Sequence, residues 1–369
     1  MEIHNEESLA KLSPFEAEMC RRLWWALMLF DSRMGEVSGC MHVSLLVPTW
    51  DCKIPLNVND SELRQEMSEL PAPARGITDA TFVVVRAEFG TFLRNALFHL
   101  EFTCPVLIPL AKDDQQTRPV DGWATAGLEK MLEEKYLRLC DEKTPFQFFI
   151  AWLMRAHVSR IHLIEHYSKS TDPAWQTEAR RGRALSYALR TLSYTTKIVA
   201  SPLSKRYRWL LQYYFPLPAY VHVVQELKLR PLGEPADRAW VIMAENYDLL
   251  IDIFIRRDHD YPIFKVFARP ILAAWEVRLA ALVERKEPVV PPKLVTRVQE
   301  QLARIEEVEQ KFREETSGDT LGMNHLGLGV PMGLEALGGQ MDGDFGSGYT
   351  PALDGIVPDQ LDWGGLQWG

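Results

Sequence analysis

The 369 residues are 47% hydrophobic and 25% charged, a composition typical of globular proteins with one large core or two smaller ones. The sequence lacks the run of about 18 to 20 apolar residues that a spanning helix needs, and residues 1–11 are too polar for a signal peptide. We therefore expect no membrane partner and a nuclear or cytoplasmic location.

The net charge of −9 is unevenly distributed along the chain. Residues 317–369 hold seven acidic residues and no Lys or Arg, so residues 1–316 carry only −2. Neither part offers the basic face with which a protein neutralises several phosphates, so we expect no direct DNA binding. A group of arginines beside Asp172 and Glu178 predicts a solvated helix face rather than a phosphate site. These are Arg180, Arg181, Arg183 and Arg190.

A long amphipathic helix is predicted from Ser13 onward. Ser13, Pro14 and Glu16 form a helix start signal, in which the glutamate reaches back to the capping serine. Apolar side chains then recur at steps of three and four, and Gly39 supplies a stop. They are Phe15, Met19, Leu23, Leu27, Phe30, Met34 and Val37.

After this helix the chain predicts an irregular arm and then a series of further helices. Residues 41–60 lose the helical period and carry Pro48 and Pro55, so we expect them to lie over the core as an arm. Periodic stretches predict helices at about 78–103, 122–140, 145–169, 173–200, 203–230, 236–257 and 262–284. Alternation with a period of two is nearly absent, so the sequence predicts an all-α, irregular multi-helix fold.

Four regions are expected along the chain. An α-helical body occupies residues 1–286, a connector at 287–292 contains three prolines, and an amphipathic helix follows at 293–316. That helix has an apolar stripe that can dock on the body or pair with another helix, and docking is favoured. The stripe consists of Leu294, Val298, Leu302, Ile305 and Phe312. Residues 317–369 are glycine-rich and acidic with no helical period, which predicts a disordered tail.

Three sequence motifs carry a resemblance to a known family. They read LSPFEAEMCRRLWWALMLFDSRMGEV at residues 12–37, WDCKIPLNVNDSEL at 50–63 and YYFPLPAYVHVVQELKLRPLGEPADRAW at 213–240. In this order they resemble the fungal-specific transcription factor domain, the middle regulatory region of fungal binuclear zinc-cluster transcription factors. The resemblance implies a transcription regulator rather than an enzyme, and a nuclear location.

The resemblance also implies which residues are motif positions, and it implies a structural role for them. In the first motif they are Arg21, Arg22, Leu23, Trp24, Trp25 and Asp31. In the second they are Trp50, Asp51, Pro55, Leu56, Asn57 and Asp60, and in the third Arg230, Pro231, Gly233, Arg238, Ala239 and Trp240.

Elementary helix geometry predicts a mainly structural role for the residues of the first motif. Trp24 and Trp25 cannot both face one way on a helix, so we expect one to anchor the core and the other to pack under the arm or an adjacent helix. Arg21 and Arg22 lie near Glu18 along the helix, which predicts buried or half-buried ion pairs that fix its register.

Members of the family carry six cysteines in two closely spaced sets that bind two zinc ions. The cysteines here are widely spaced, and the closest pair is Cys40 and Cys52, so we expect reduced core thiols. The chain is thus expected to bind no cofactor, and zinc belongs only to the N-terminal cluster of a full-length family member. The sequence at Met1 resembles the middle of the family domain, so an N-terminally incomplete domain is expected, by gene-model truncation or by real loss.

A competing motif predicts a different function. His162, Glu165 and His166 spell H-x-x-E-H within a helical stretch, the pattern with which some zinc hydrolases bind metal and activate water. Its third ligand would be a distant acid, with Glu226, Glu234 and Asp237 as candidates. The alternative is an ordinary long helix with half-buried or exposed histidines, and it is favoured because such short patterns arise easily by chance.

The tail has the composition of an activation segment. Between residues 342 and 368 acidic residues alternate with large apolar side chains, which the acids keep solvated and accessible to the groove of a coactivator. The apolar residues include Phe345, Tyr349, Leu353, Leu361, Trp363, Leu366 and Trp368. The expected partners are therefore a coactivator or the transcription machinery. Further possibilities are self-association, a heterodimer with a zinc-cluster protein, and an unidentified small-molecule effector.

Overall fold

A computed structural model of the chain describes residues 2–38, 50–103, 124–169, 177–213, 215–254 and 262–318. In these ranges the protein is helical and contains no strand, which confirms the predicted all-α fold. The α-helices are α1 (Glu6–Leu9), α2 (Pro14–Ser38), α3 (Thr81–Asn95), α4 (Leu97–Thr103), α5 (Thr125–Lys135), α6 (Pro145–Ser168), α7 (Glu178–Ala200), α8 (Leu217–Leu229), α9 (Glu234–Phe254), α10 (Pro262–Arg285) and α11 (Lys293–Gly318). No helix in the described part has the length and apolarity that crossing a bilayer requires.

Helix α2 begins where its sequence signal places it. The backbone N–H of Ser13 donates to Glu16 Oε2 at 3.0 Å, and the N–H of Glu16 donates to Ser13 Oγ at 3.3 Å. This reciprocal cap satisfies donors that have no partner inside the helix. The predicted stop at Gly39 and the first part of the arm lie outside the described residues.

Helix α1 has no counterpart in the predicted elements. Asn5 caps it by accepting hydrogen bonds from the N–H groups of Glu7 and Ser8 at 2.8 and 3.2 Å. A helix of 4 residues is too short to display a period, so sequence patterning could not detect it.

Two predicted helices were wrong in extent because the chain breaks within them. The stretch at 78–103 divides into α3 and α4 at Ala96, whose ψ of 101° is extended. The stretch at 203–230 is α-helical only from Leu217, and it is preceded by 3₁₀ turns at Pro202–Ser204 and Arg208–Tyr213. Pro216 and Pro218 explain the second break, since the residue before a proline is biased away from helical angles.

The main core lies between α6 and the five helices that follow it. Each of these helices contributes at least one side chain with no exposed surface, and the examples are Leu163, Leu192, Val223, Met243, Ile271 and Leu294. A second cluster joins α3 and α5 to another face of α6, which contributes Ile150, Met154 and Ile161. Helix α6 is therefore apolar on two faces and belongs to both clusters.

The last helix docks on the body through its first turns. Helix α10 ends at Arg285, where Lys286 takes a positive φ of 56° and Glu287 donates its N–H to Leu282 O at 3.0 Å. After the proline-containing connector, Leu294, Val295 and Val298 of α11 are fully buried in the main core. The division of the chain into four regions stays a prediction.

One face of α2 is apolar and exposed. Met19, Leu23 and Leu27 follow one another at single-turn spacing, and they are 43%, 51% and 40% exposed. The opposite face packs on α3, where a Cβ built on Gly90 would lie 2.9 to 3.0 Å from side-chain atoms of Leu29, Met28 and Trp25. Only glycine permits this close approach.

Candidate functional site

The first two motifs meet around a buried carboxylate. Glu18 has no exposed surface, and its Oε1 lies 3.3 Å from Arg22 Nε while Arg21 Nη1 lies 3.9 Å from its Oε2. The N–H of Leu56 in the second motif donates to Glu18 Oε1 at 3.0 Å. Burial raises the pKa of Glu18 despite these partners. One carboxylate thus joins the helix to the arm.

The two arginines extend this network to α1 and to the end of the arm. Arg21 binds Glu6 with two nitrogens, Nε at 2.8 Å and Nη2 at 2.6 Å, and Lys53 N–H donates to the same carboxylate at 2.8 Å. Burial opposes ionisation of Glu6, but these hydrogen bonds outweigh it and lower its pKa. On the other side, Arg22 Nη1 donates to Asp60 Oδ1 at 2.8 Å.

A tryptophan cluster lies beside the charges. The rings of Trp24 and Trp25 contact Trp50 edge to face, with ring centroids 5.6 and 5.2 Å away, and all three are buried. Trp25 also donates from Nε1 to Lys53 O at 2.9 Å, and the guanidinium of Arg94 lies 4.0 Å from the centre of a Trp50 ring. Both tryptophans of the helix therefore pack under the arm.

Asn57 fixes the arm to the loop that precedes α3. Its Nδ2 donates to Ala74 O at 2.9 Å and to Gly76 O at 2.8 Å. Its Oδ1 accepts from the hydroxyls of Thr78 at 2.7 Å and Thr81 at 3.2 Å. All the hydrogen-bonding capacity of the amide is used within the protein, so the side chain holds the arm to this loop.

The third motif lies on α8 and α9, whose buried side chains belong to the main core and not to the cluster formed by the first two motifs. Arg230 forms ion pairs with Glu226 and Glu178, and Pro231 O accepts from Arg278 Nη1 at 2.9 Å. Arg278 also pairs with Asp237 at 2.5 Å. At the bend between α8 and α9, Gly233 has a φ of 103°, which a side chain would disfavour.

The other motif positions divide between core and surface. Pro55, Ala239 and Trp240 are buried, Asp31 is half-buried, and Leu23 and Arg238 are exposed. Asp51 is exposed and accepts a hydrogen bond from Glu6 N–H at 2.8 Å. The tail residues Phe345, Tyr349, Leu361, Trp363, Leu366 and Trp368 lie outside the described residues.

The partners of the motifs were not predicted. Glu6, Arg94 and Arg278 all contact motif residues, and each contact with the second or third motif crosses more than forty positions of sequence. No local pattern marks such partners.

The cysteines of the described part are thiols. Cys20, Cys52 and Cys140 are free, and burial raises the pKa of Cys52 to about 12 and of Cys140 to about 11.

The residues of the H-x-x-E-H motif are engaged by other side chains. His162 Nε2 lies 2.8 Å from Glu129 Oε2, and its imidazole stacks on Tyr187 with ring centroids 4.3 Å apart. Glu165 pairs with Lys169 at 2.6 Å, and the ring of His166 lies 6.0 Å from that of His222.

The acids that were candidates for a third ligand do not complete a metal site. Glu226 pairs with Arg230 and Asp237 with Arg278. In the ranges that the structure describes, no group of three His, Cys, Asp or Glu side chains could hold a metal ion. The zinc hydrolase alternative is therefore unsupported.

The fold and the motif clusters define an all-α scaffold in which conspicuous charged and aromatic residues hold elements together. Comparison with curated proteins relates this scaffold to fungal transcription regulators. The chain is 39% identical over 375 residues to the transcriptional regulator AacuB of Aspergillus aculeatus, a match that covers 99% of the chain and 48% of that protein.

Two further relatives have names of the same kind. The chain is 35% identical over 350 residues to the transcriptional regulator nsrM of Aspergillus novofumigatus, covering 93% of the chain and 46% of that protein. It is 28% identical over 284 residues to the aurofusarin cluster transcription factor aurR2 of Gibberella zeae, covering 76% of the chain and 41% of that protein. The chain spans about half the length of the curated relatives it matches. No family model and no solved structure matches it.

Proposed function

We propose that this chain is the regulatory, non-DNA-binding part of a fungal zinc-cluster-type transcription regulator that acts in the nucleus. The observation that carries the proposal is the 39% identity to a fungal transcriptional regulator over 99% of the chain. The geometry supports it, because the motif residues of the described part form ion pairs, ring contacts and buried hydrogen bonds within the fold. The chain itself would need no metal or cofactor.

The proposal predicts that the purified chain does not bind duplex DNA sequence-specifically, because it has neither a zinc-cluster cysteine set nor a basic reading helix. Electrophoretic mobility shifts at physiological salt with competitor DNA measure this. The same chain fused to a zinc-cluster DNA-binding domain is the positive control. Sequence-selective shifts by the chain alone that survive the competitor would overturn the prediction.

We propose further that residues 317–369 are an activation segment that contacts a coactivator. Fused to an unrelated DNA-binding domain, they are expected to activate a reporter. Changing Phe345, Trp363 and Trp368 together to Ala should abolish most of the signal, because aromatic side chains supply the apolar area that a partner groove buries. Asp354→Asn is the matched control and should leave most of it, since a single exposed carboxylate is screened over about 8 Å.

Two outcomes would count against an activation segment. One is an inert fusion that is expressed and nuclear, and the other is full activity of the triple aromatic variant. Both leave the DNA-binding prediction intact, so the two parts of the proposal are tested separately.

Other partners belong to the same proposal. The exposed face formed by Met19, Leu23 and Leu27 supports self-association or a heterodimer with a zinc-cluster protein, since apolar side chains at helical spacing are what a partner helix covers. A small-molecule effector also belongs to the proposed regulatory role, and its chemistry is open.

A further inference from the structure

One face of α7 alternates basic and aromatic side chains. Arg183, Tyr187, Arg190, Tyr194 and Lys197 follow one another at steps of four, three, four and three residues. This spacing places all of them on one side of a helix, over a length of about 21 Å. The two arginines and the lysine are exposed, while the tyrosines are half-buried. We call these five residues the α7 stripe.

The aromatic rings of the α7 stripe rest on side chains of α6. Tyr187 stacks on His162, and Tyr194 packs against Trp152 with ring centroids 5.2 Å apart. Lys197 Nζ lies 3.3 Å from the centre of a Trp152 ring, and the guanidinium of Arg190 lies 5.8 Å from that of Tyr187. The rings are thereby held in place, with the cations between and beside them.

The charge of the stripe is only partly balanced by the protein. Lys197 Nζ lies 3.4 Å from Glu142 Oε2, but in the described ranges neither Arg183 nor Arg190 has a carboxylate within ion-pair distance. The nearby carboxylate of Glu129 is already hydrogen-bonded to His162. The chain from residue 179 to 225 contains eight Lys and Arg residues and no Asp or Glu. The three cations of the stripe therefore flank half-buried rings, with the carboxylates of Glu129 and Glu142 beside them.

The chain carries a segment of opposite character at its other end. Residues 342–368 contain five Asp residues, no Lys or Arg, and the aromatic residues Phe345, Tyr349, Trp363 and Trp368. Carboxylates pair with arginine, and aromatic rings stack on tyrosine and on guanidinium planes, so each residue type of this segment has a partner type in the stripe.

We propose that the α7 stripe is the docking site for residues 342–368 of the same chain. The 25 residues from Gly318 to Asp342 can extend over about 80 Å. A folded body of this size has a radius of gyration of about 20 Å, so the segment can reach any face of it. The proposal concerns binding alone, and it holds whether or not the tail activates transcription.

Zero-length carbodiimide cross-linking of the purified full chain, followed by peptide mapping, tests the proposal. This reagent joins carboxylates to lysines, and the tail has no lysine, so every cross-link of a tail acid within a chain must end on the body. We expect Lys197 to be the main lysine joined to Asp residues of 342–368. We also expect these cross-links to be lost at 1 M salt, where the Debye length falls to about 3 Å.

A pair of double variants gives the test its control. Arg183→Gln with Arg190→Gln should lower the yield of the Lys197 cross-links about fivefold, because two charged contacts are removed. Arg206→Gln with Arg285→Gln removes the same charge from exposed positions outside the stripe and should leave the yield unchanged. All four positions carry exposed or half-exposed side chains, and melting curves would verify that both variants fold.

Three results would overturn the proposal. Tail cross-links could be spread evenly over exposed lysines such as Lys53, Lys205 and Lys286. Alternatively, the stripe variant could leave the yield of the Lys197 cross-links unchanged. In a mixture of isotope-labelled and unlabelled chains, the Lys197 cross-links could instead join different molecules, which would make the occupant a second copy. An inert tail in the reporter assay affects none of these readouts.

Discussion

Replacing Trp25 by Ala is expected to lower the free energy of unfolding by about 3 to 5 kcal/mol. The side chain is only 2% exposed, packs on Trp50 and donates to Lys53 O, so its loss leaves a cavity and an unpaired carbonyl. Trp24→Ala should also destabilise the protein, but by less, because in the described structure its Nε1 makes no hydrogen bond that would be lost.

Urea unfolding followed by circular dichroism measures both effects. Trp209→Ala is the control, since this tryptophan is 58% exposed and its removal should cost less than about 1 kcal/mol. If Trp24→Ala and Trp25→Ala unfolded at the same urea concentration as the parent, the tryptophan cluster would not support the fold.

Glu18→Leu is also expected to lower the free energy of unfolding by about 3 to 5 kcal/mol. It removes the acceptor of the Leu56 N–H. Among the residues that the structure describes, it also leaves Arg22, whose side chain is 14% exposed, with only the exposed Asp60 as a partner. Glu18→Gln should cost less, because the amide oxygen still accepts a hydrogen bond.

The control for Glu18 is on the same helix. Glu16→Gln changes an exposed carboxylate of the helix cap and should cost less than about 1 kcal/mol, because the amide oxygen still accepts a hydrogen bond from the Ser13 N–H. Thermal melts of the three variants would rank them. Equal stability of Glu18→Leu and Glu16→Gln would mean that the buried carboxylate does not hold the arm.

The sequence was most informative where the determining interactions are local. The cap of Ser13 with Glu16 and the apolar period after it place α2 correctly, because both act within a few residues. The helix predicted at 203–230 was wrong in extent although its determinants are also local, because the apolar period was given more weight than the prolines within it. Pro216 and Pro218 limit the α-helix to the part from Leu217 onward.

The candidate sites were predictable in their motif residues but not in their geometry. The resemblance identified Trp50 and Pro231 as motif positions but did not indicate their partners. Arg94 lies over the ring of Trp50, and Arg278 donates to the carbonyl of Pro231. The partner of His162 could not be predicted either. A two-histidine pattern is equally compatible with binding a metal and with binding the carboxylate of Glu129 on another helix. Contacts between distant segments decide such cases, and one sequence does not encode them as a local pattern.

Helix α6 has a consequence for how the protein opens. Because it supplies Leu163 to one core and Ile161 to the other, any fluctuation that separates α6 from either set of neighbours exposes apolar surface to water. Amide hydrogens in the middle of α6 should therefore exchange with solvent only when the body unfolds as a whole. Those of α1 should exchange through local opening, since this helix of 4 residues is attached by Leu9 and by the contacts of Glu6 with Arg21, Lys53 and Asp51.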